Sequence, residues 1–350
     1  MKKTWNVVCA GMLALFLTAC GSQTPQEPSV SAVQSVSEST EISSETAASS
    51  APAQAEAKPT TVSITALDAE KKEVSVEVPY DAQRIAVMDM ASLDILQTLG
   101  LGDRVVGSSS GKIDYLQDIL TKDSVANLGT VKEADLEAVK AAKPDVIFIG
   151  GRLAKSYDQL KEIAPVVFLG IDREKGVVES TKENAMKIAK MFGLESEVDA
   201  KFAHFGERIA KLQEFAKGKN AIIGLVTKGN LNVLGNDGRC SLIGKEIGFE
   251  NLGVDSNIDT STHGNEASFE FLVEKNPQYI FILDRDAAIH ADGAKAAKEI
   301  VENELTASVD AIANGHSVYM AHPDVWYIAE GGIHALDVMI SDIEQGIAGK

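Results

Sequence analysis

Asp135-Leu-Glu-Ala-Val-Lys-Ala-Ala-Lys-Pro-Asp-Val-Ile-Phe-Ile-Gly-Gly-Arg152 is echoed 133 residues downstream by Ser268-Phe-Glu-Phe-Leu-Val-Glu-Lys-Asn-Pro-Gln-Tyr-Ile-Phe-Ile-Leu-Asp-Arg285. Glu137 lies over Glu270, Pro144 over Pro277, Ile147-Phe148-Ile149 over Ile280-Phe281-Ile282, and Arg152 over Arg285. Each copy reads as a helix, a turn and a short apolar strand, with the proline opening the strand where a missing N–H is harmless. The match marks two lobes built from copies of one unit. Each arginine falls just beyond the carboxyl end of its strand, the edge that borders the ligand crevice in open α/β sheets. Facing lobes would bring both guanidinium groups into one cleft. The plain alternative is that each arginine pairs at the surface with a nearby acid such as Asp158, Asp284 or Asp286.

Outward from the repeat the alternation continues. Val62 to Leu67 and Val74 to Val78 alternate around a polar turn and predict a β-hairpin. Arg84 to Met88 reads as strand, Ala91 to Leu99 as helix, and Val105-Val106 and Val166 to Leu169 as short strands. Thr181 to Phe215 is a long amphipathic stretch broken only by Gly193 and Gly206, after which Ala221 to Val226 resumes the strand pattern. This order predicts an α/β fold of two Rossmann-like lobes with mostly parallel sheets, joined by one long helix. The expected bounds are 61–178 for the N-terminal lobe, 179–217 for the linking helix and 218–350 for the C-terminal lobe.

Ahead of the lobes, residues 1–19 have the form of an export signal, with basic Lys2-Lys3, an apolar run from Val7 to Leu17, and small residues before Cys20. The run is shorter than the ~20 apolar residues of a spanning helix. Leu17-Thr-Ala-Cys-Gly21 resembles the bacterial lipobox, which implies that Cys20 becomes the lipidated N-terminus. Residues 20–60 are rich in Ser, Ala, Glu, Pro and Thr and cannot offset their ordering entropy, so they read as a disordered tether. A flexible coil of that length reaches on the order of 35 Å. Of the three cysteines, Cys9 leaves with the signal and Cys20 carries lipid, so Cys240 remains as a small buried apolar residue to which no role is given.

The 350 residues are 45% hydrophobic and carry a formal charge of −18, which argues against a nucleic-acid partner or an anionic membrane surface held by net charge. Enzyme signatures are incomplete. Leu99-Gly-Leu-Gly-Asp-Arg-Val105 lacks the third glycine of a dinucleotide fingerprint, and Gly111-Lys112 lacks the rest of a phosphate loop. The reading is therefore not an enzyme.

Taken together, lipobox, tether, paired lobes and helical link resemble the iron-siderophore substrate-binding lipoproteins of ABC importers, the class III periplasmic binding proteins. Gly151 to Asp158, Asp237 to Ser241, Thr262-His263-Gly264, Asp284-Arg285-Asp286 and Trp326 to Ala329 resemble their catecholate-binding (enterobactin- and petrobactin-type) branch. The resemblance implies that Arg152, Arg239 and Arg285 surround the anionic chelate. It further implies that His263 and Tyr327 complete the iron shell when the siderophore supplies only two catecholates, and that Glu137 and Glu270 meet permease arginines. Lys155, Tyr157 and Trp326 are further candidates for the cleft, with packing or surface as the alternative for each. For Glu137 and Glu270 the alternative is stabilisation of the helix dipole.

The chemistry agrees with that implication. A ferric tris-catecholate is a compact trianion rimmed with oxygens, and forked guanidiniums both balance its charge and donate paired hydrogen bonds. The expectation is a membrane-anchored, monomeric receptor outside the cytoplasm (cell surface or periplasm, according to the envelope). It would carry a ferric siderophore to a permease, with no permanently bound cofactor. A same-fold receptor for haem or a hydroxamate siderophore is the neighbouring alternative, and an α/β enzyme the remoter one.

Overall fold

The computed structural model describes residues 59–253 and 264–349. The expected signal, Cys20, nearly all of the expected tether and His263 lie outside the described residues. The first sheet uses β1 (Thr61–Leu67), β2 (Glu73–Pro79), β3 (Ile85–Val87), β4 (Val105–Ser110), β5 (Ala126–Thr130), β6 (Glu133–Ala134), β7 (Val146–Ile149) and β8 (Val166–Phe168) in the order β2-β1-β8-β7-β3-β4-β5-β6. Its centre, β8-β7-β3-β4-β5, is parallel, while the β1–β2 hairpin and β6 flank it antiparallel.

The second sheet uses β9 (Asn220–Thr227), β10 (Asn230–Val233), β11 (Glu250–Asn251), β12 (Asn265–Ala267), β13 (Tyr279–Asp284) and β14 (Ser317–Tyr319). Its order is β12-β10-β9-β13-β14, with β11 also on β9. The pairs β9–β13 and β13–β14 are parallel.

The helices that matter for the site are α1 (Met90–Thr98), α2 (Leu136–Ala142), α3 (Val177–Lys190), α4 (Glu195–Phe202), α5 (Phe205–Ala216), α6 (Phe269–Lys275), α7 (Arg285–Ala288), α8 (Pro323–Ile328) and α9 (Ile333–Ile347). Among the described residues no helix is long and apolar enough to cross a membrane. The link between the sheets is helical from Val177 to Ala216, as α3, α4 and α5 rather than one unbroken rod. The first break is at Gly193, whose φ of +67° ends the helix in the left-handed region. The second falls at Ala203-His204; Gly206, a break in the sequence pattern, is accommodated inside α5.

The repeat is visible in backbone detail. Both α2 and α6 end on a left-handed residue, Lys143 (φ 47°, ψ 60°) and Asn276 (φ 40°, ψ 60°), each followed by the matched proline. A left-handed cap followed by proline is a hard stop, because the proline cannot continue the helix.

The strands that follow are buried on both faces, as parallel strands under helices are. Ile147 and Ile149 pack in a cluster confined to the first lobe, and Ile280 and Ile282 in one confined to the second. Phe148 and Phe281 point the other way, into a third cluster that runs through both lobes with Leu93, Leu96, Ile188, Leu336 and Ile340. The lobes therefore share a core, in one unit spanning Ala57–Lys350.

Candidate functional site

In the first sheet the chain moves one way from β3 to β4 and β5, while β7 and β8 lie on the other side of β3. The reversal between β3 and β7 is a topological switch point, where open α/β sheets leave a crevice beyond their carboxyl ends. Gly150-Gly151-Arg152 follows β7 at that place, and Arg152 sits in a tight 3₁₀ turn, Gly151–Ser156. Arg285 follows β13 at the equivalent place in the other lobe and opens α7, whose first turn is capped by Asp284 accepting from the Ala287 N–H at 2.9 Å. Arg239 comes from the loop after β10. It is followed by Cys240 at φ +60°, a left-handed conformation that costs a residue with a side chain about 1–2 kcal/mol.

All three arginines converge on one residue, Tyr327. Their guanidinium carbons lie 4.2 Å (Arg239), 5.5 Å (Arg152) and 5.7 Å (Arg285) from its ring centre. Arg152 Nη2 donates to the Tyr327 carbonyl at 3.0 Å, and Arg239 Nη1 donates to the Tyr327 carbonyl at 2.7 Å and the Trp326 carbonyl at 3.2 Å. Arg285 Nε donates to the Tyr327 hydroxyl at 3.2 Å, and its Nη1 reaches Thr227 Oγ1 and Asp286 Oδ1, each at 3.2 Å. The carbonyls at the end of α8, which helix geometry leaves without internal partners, thus anchor guanidiniums from both lobes.

Arg239 is 7% exposed, and burial pulls its guanidinium below the usual range. The Glu330 and Cys240 side chains oppose that pull, while the charge of Arg152 adds to it. Three cations held this close repel one another, which biases the site toward anionic ligands.

Behind the tyrosine, α8 is fixed from below. Asp342, on α9, accepts from the Trp326 indole at 2.9 Å and the His322 N–H at 3.1 Å, and lies 2.7 Å from His322 Nδ1. Trp326 is fully buried (0% exposed), which favours packing, the alternative weighed for it, while its carbonyl accepts from Arg239. The Tyr157 ring belongs to the first-lobe cluster with Leu153 and Leu160, which likewise favours packing. Lys155 is exposed on the same turn as Arg152. Glu137 and Glu270 are both exposed in the first turns of α2 and α6. A local backbone hydrogen bond and the Ser268 hydroxyl lower the Glu270 carboxyl from its usual range.

Four residues near the cleft were not singled out from the sequence. Arg173, just after β8, donates from Nη1 to Glu330 Oε1 at 3.1 Å and Ser241 Oγ at 3.2 Å, and from Nη2 to Glu330 Oε2. Asp89, after β3, caps α1 by accepting from the Ser92 N–H and hydroxyl, both at 2.9 Å. Asp342 does its work through contacts about twenty residues back in the chain. None of Arg173, Glu330, Asp89 and Asp342 lies in the repeat. The one local clue was Asp89, an acid directly before an apolar helical run.

Comparison with known proteins follows the same lines. A family model described as periplasmic binding protein matches residues 85–324. The petrobactin-binding protein YclQ of Bacillus subtilis is 32% identical over 291 residues, 80% of this chain and 90% of that protein. Its crystal structure superposes with a TM-score of 0.75, covering 83% of this chain and 100% of that one. The periplasmic catecholate-siderophore binding protein VctP from Vibrio cholerae gives a TM-score of 0.74 at 29% identity, covering 81% of this chain and 99% of that one. The ferric-anguibactin-binding protein FatB of Vibrio anguillarum is 25% identical over 273 residues, 75% of this chain and 82% of that protein.

Proposed function

We propose, from the premise that the chain belongs to the periplasmic binding protein family, that it is a lipid-anchored receptor. In this reading it captures a ferric catecholate siderophore outside the cytoplasm and passes it to an ABC permease. The observation that carries the reading is the convergence of Arg152, Arg239 and Arg285, from both lobes, on the single phenol ring of Tyr327. A catecholate is a phenol ring with a second oxygen and more negative charge, so a cage that accepts the tyrosine ring is matched in shape and charge to the ligand. Binding and release suffice for this function, and no covalent step is assigned to the protein.

Iron enters as cargo inside the chelate. Where the siderophore supplies two catecholates, Tyr327 and His263 are the proposed donors for the remaining positions, phenolate and imidazole both being competent ferric ligands. Lys155 adds a further positive charge on the Arg152 turn. Glu137 and Glu270, exposed at matching places on the two lobes, are the proposed contacts for permease arginines. The shared core supports a preorganised cleft with little closure, so affinity comes without a large ordering cost. Lipidation at Cys20 and the tether would keep this monomeric body near the permease.

The test is a fluorescence-quenching titration with ferric catecholates, ferric hydroxamates, haem and cobalamin. The reading expects tightest binding for a ferric catecholate. Preference for a hydroxamate or haem overturns the ligand and leaves the receptor class. Reversing the charges of Glu137 and Glu270 together should abolish uptake with ligand affinity intact.

A further inference from the structure

Beside the arginine cage lies a hollow whose walls hold acids as well as bases. The hollow, of about 260 Å³, opens at the switch point between β3 and β7, with Asp89, Ser92, Gly150, Gly151, Arg173 and Glu330 among its walls. It adjoins the cage on both sides of the cleft, since Gly151 precedes Arg152 and Glu330 follows Tyr327 by three residues. Two carboxylates face it, but they are not equivalent. Both oxygens of Glu330 are taken by Arg173, which cancels that charge.

Asp89 is different. Its Oδ2 accepts both Ser92 donors, whereas no described residue donates to its Oδ1. That oxygen lies against Gly150, where an added Cβ would stand 2.4 Å from it. Glycine at this position leaves one face of the carboxylate uncovered. Lys71 also borders the hollow, from the exposed hairpin turn between β1 and β2 where water screens its charge. Burial pushes the Asp89 carboxyl above its usual range, against the pull of its Ser92 hydrogen bonds and of the Arg152 charge. An approaching cation would relieve that cost.

We propose that this hollow is a subsite for a protonated amine on the linker of the bound chelate, with Asp89 Oδ1 accepting its N–H while the catecholates lie against the arginines. The subsite rests on the siderophore reading above and narrows it. The cleft then offers guanidiniums to the iron-bound oxygens and one open carboxylate oxygen to the linker, and so favours a chelate carrying both signs. A neutral linker of the same length would leave Asp89 Oδ1 buried without a donor, the costly case for a polar group.

The experiment is calorimetric titration of the full chain with two synthetic ferric bis-catecholates, one with a secondary amine in its linker and one with a methylene in its place. Wild type should prefer the amine by about tenfold or more, the size of one hydrogen bond between charged groups. Asp89→Asn keeps an oxygen to cap α1 but loses the charge, and it should abolish the preference without weakening the methylene compound. Should that variant not fold, a quaternary-ammonium linker, which keeps the charge and removes the N–H, should lose most of the preference in wild type. Equal wild-type affinity for amine and methylene, or equal weakening of both by Asp89→Asn, overturns the subsite alone. Binding of neither compound by wild type overturns the siderophore reading, and the subsite with it.

Discussion

Replacing Asp94 by alanine removes a carboxylate that belongs to α1 in the first lobe but works on the second. Asp94 is 0% exposed. It accepts from the Tyr115 hydroxyl at 2.6 Å and from the N–H groups of His334 and Ala335, both at 2.9 Å. The last two are the second and third residues of α9, the positions that a helix's own N-cap side chain ordinarily serves. The residue at that cap is Gly332, which has no side chain to offer, and a Cβ there would stand 2.4 Å from the Asp94 Cγ.

Asp94→Ala therefore strands three close donors, two of them at a helix start, besides the Thr98 hydroxyl at 3.5 Å. A buried donor left unpaired costs about 1–3 kcal/mol, and partial entry of water reduces the sum, so the expected loss is about 3–5 kcal/mol. Against a domain stability of about 5–15 kcal/mol that is a large fraction. Tyr115→Phe deletes one donor and leaves the carboxylate its two backbone partners, so about 1 kcal/mol is expected. The assay is urea unfolding followed by circular dichroism and by the emission of Trp326, the one tryptophan among the described residues.

Acidification adds a signed test. Burial holds the Asp94 carboxyl above its ordinary 3.8, outweighing the Tyr115, His334 and Ala335 donors that pull it down. The folded state therefore binds a proton that the unfolded state does not, in the window between 3.8 and the folded value. Wild type gains stability from this group as pH falls through that window, while Asp94→Ala has nothing to titrate there. The gap between them should widen on acidification. A loss under about 1 kcal/mol, within the range of ordinary surface substitutions, or a gap that narrows as pH falls, would refute the reasoning.

Gly332→Ala should destabilise by about 1–3 kcal/mol through overpacking against Asp94, and in the Asp94→Ala background its cost should largely vanish in the same urea assay. Cys240 should be silent toward a disulfide reagent at pH 8. Burial holds its thiol up at about 12 against an ordinary 9.0, leaving a thiolate fraction of about one in ten thousand; rapid labelling of folded protein would contradict this. Arg285→Met should weaken ferric catecholate binding about tenfold to a hundredfold and flatten its salt dependence, with unchanged affinity counting against a cation cage.

The paired lobes were legible because Ile147-Phe148-Ile149 and Ile280-Phe281-Ile282 are local patterns whose burial needs no partner to be recognised. The same copies carried Arg152 and Arg285 to the ends of their strands. Arg239 was legible by resemblance alone, and what aims it, the left-handed Cys240, has no local mark, because left-handed backbone is ordinarily read from Gly or Asn. Trp326 could not be decided between cleft and packing from its sequence neighbours. An indole next to a cleft tyrosine looks like a ligand contact until Asp342, sixteen residues later, is seen to hold its N–H. His263 lies outside the described residues, so its expected place beside Tyr327 rests on the resemblance.

The device at Asp94 recurs with the lobes exchanged, and this bears on how the cleft works. The link helix α3 also starts on a glycine, Gly176, at φ +96°. Its first two N–H groups are taken by Glu246 of the second lobe, Val177 to Oε2 and Val178 to Oε1, both at 2.8 Å. A Cβ on Gly176 would stand 2.9 Å from the Glu246 carboxyl carbon. A helix that supplied its own cap would be indifferent to the position of the opposite lobe. A helix capped across the lobe boundary loses about 0.5–2 kcal/mol if that lobe swings away. With one such cap in each direction and a core common to both lobes, wide opening breaks hydrogen bonds that closure must then remake. Such an opening would also part Arg152 from Arg239 and Arg285, so the caps favour keeping the three arginines together around Tyr327.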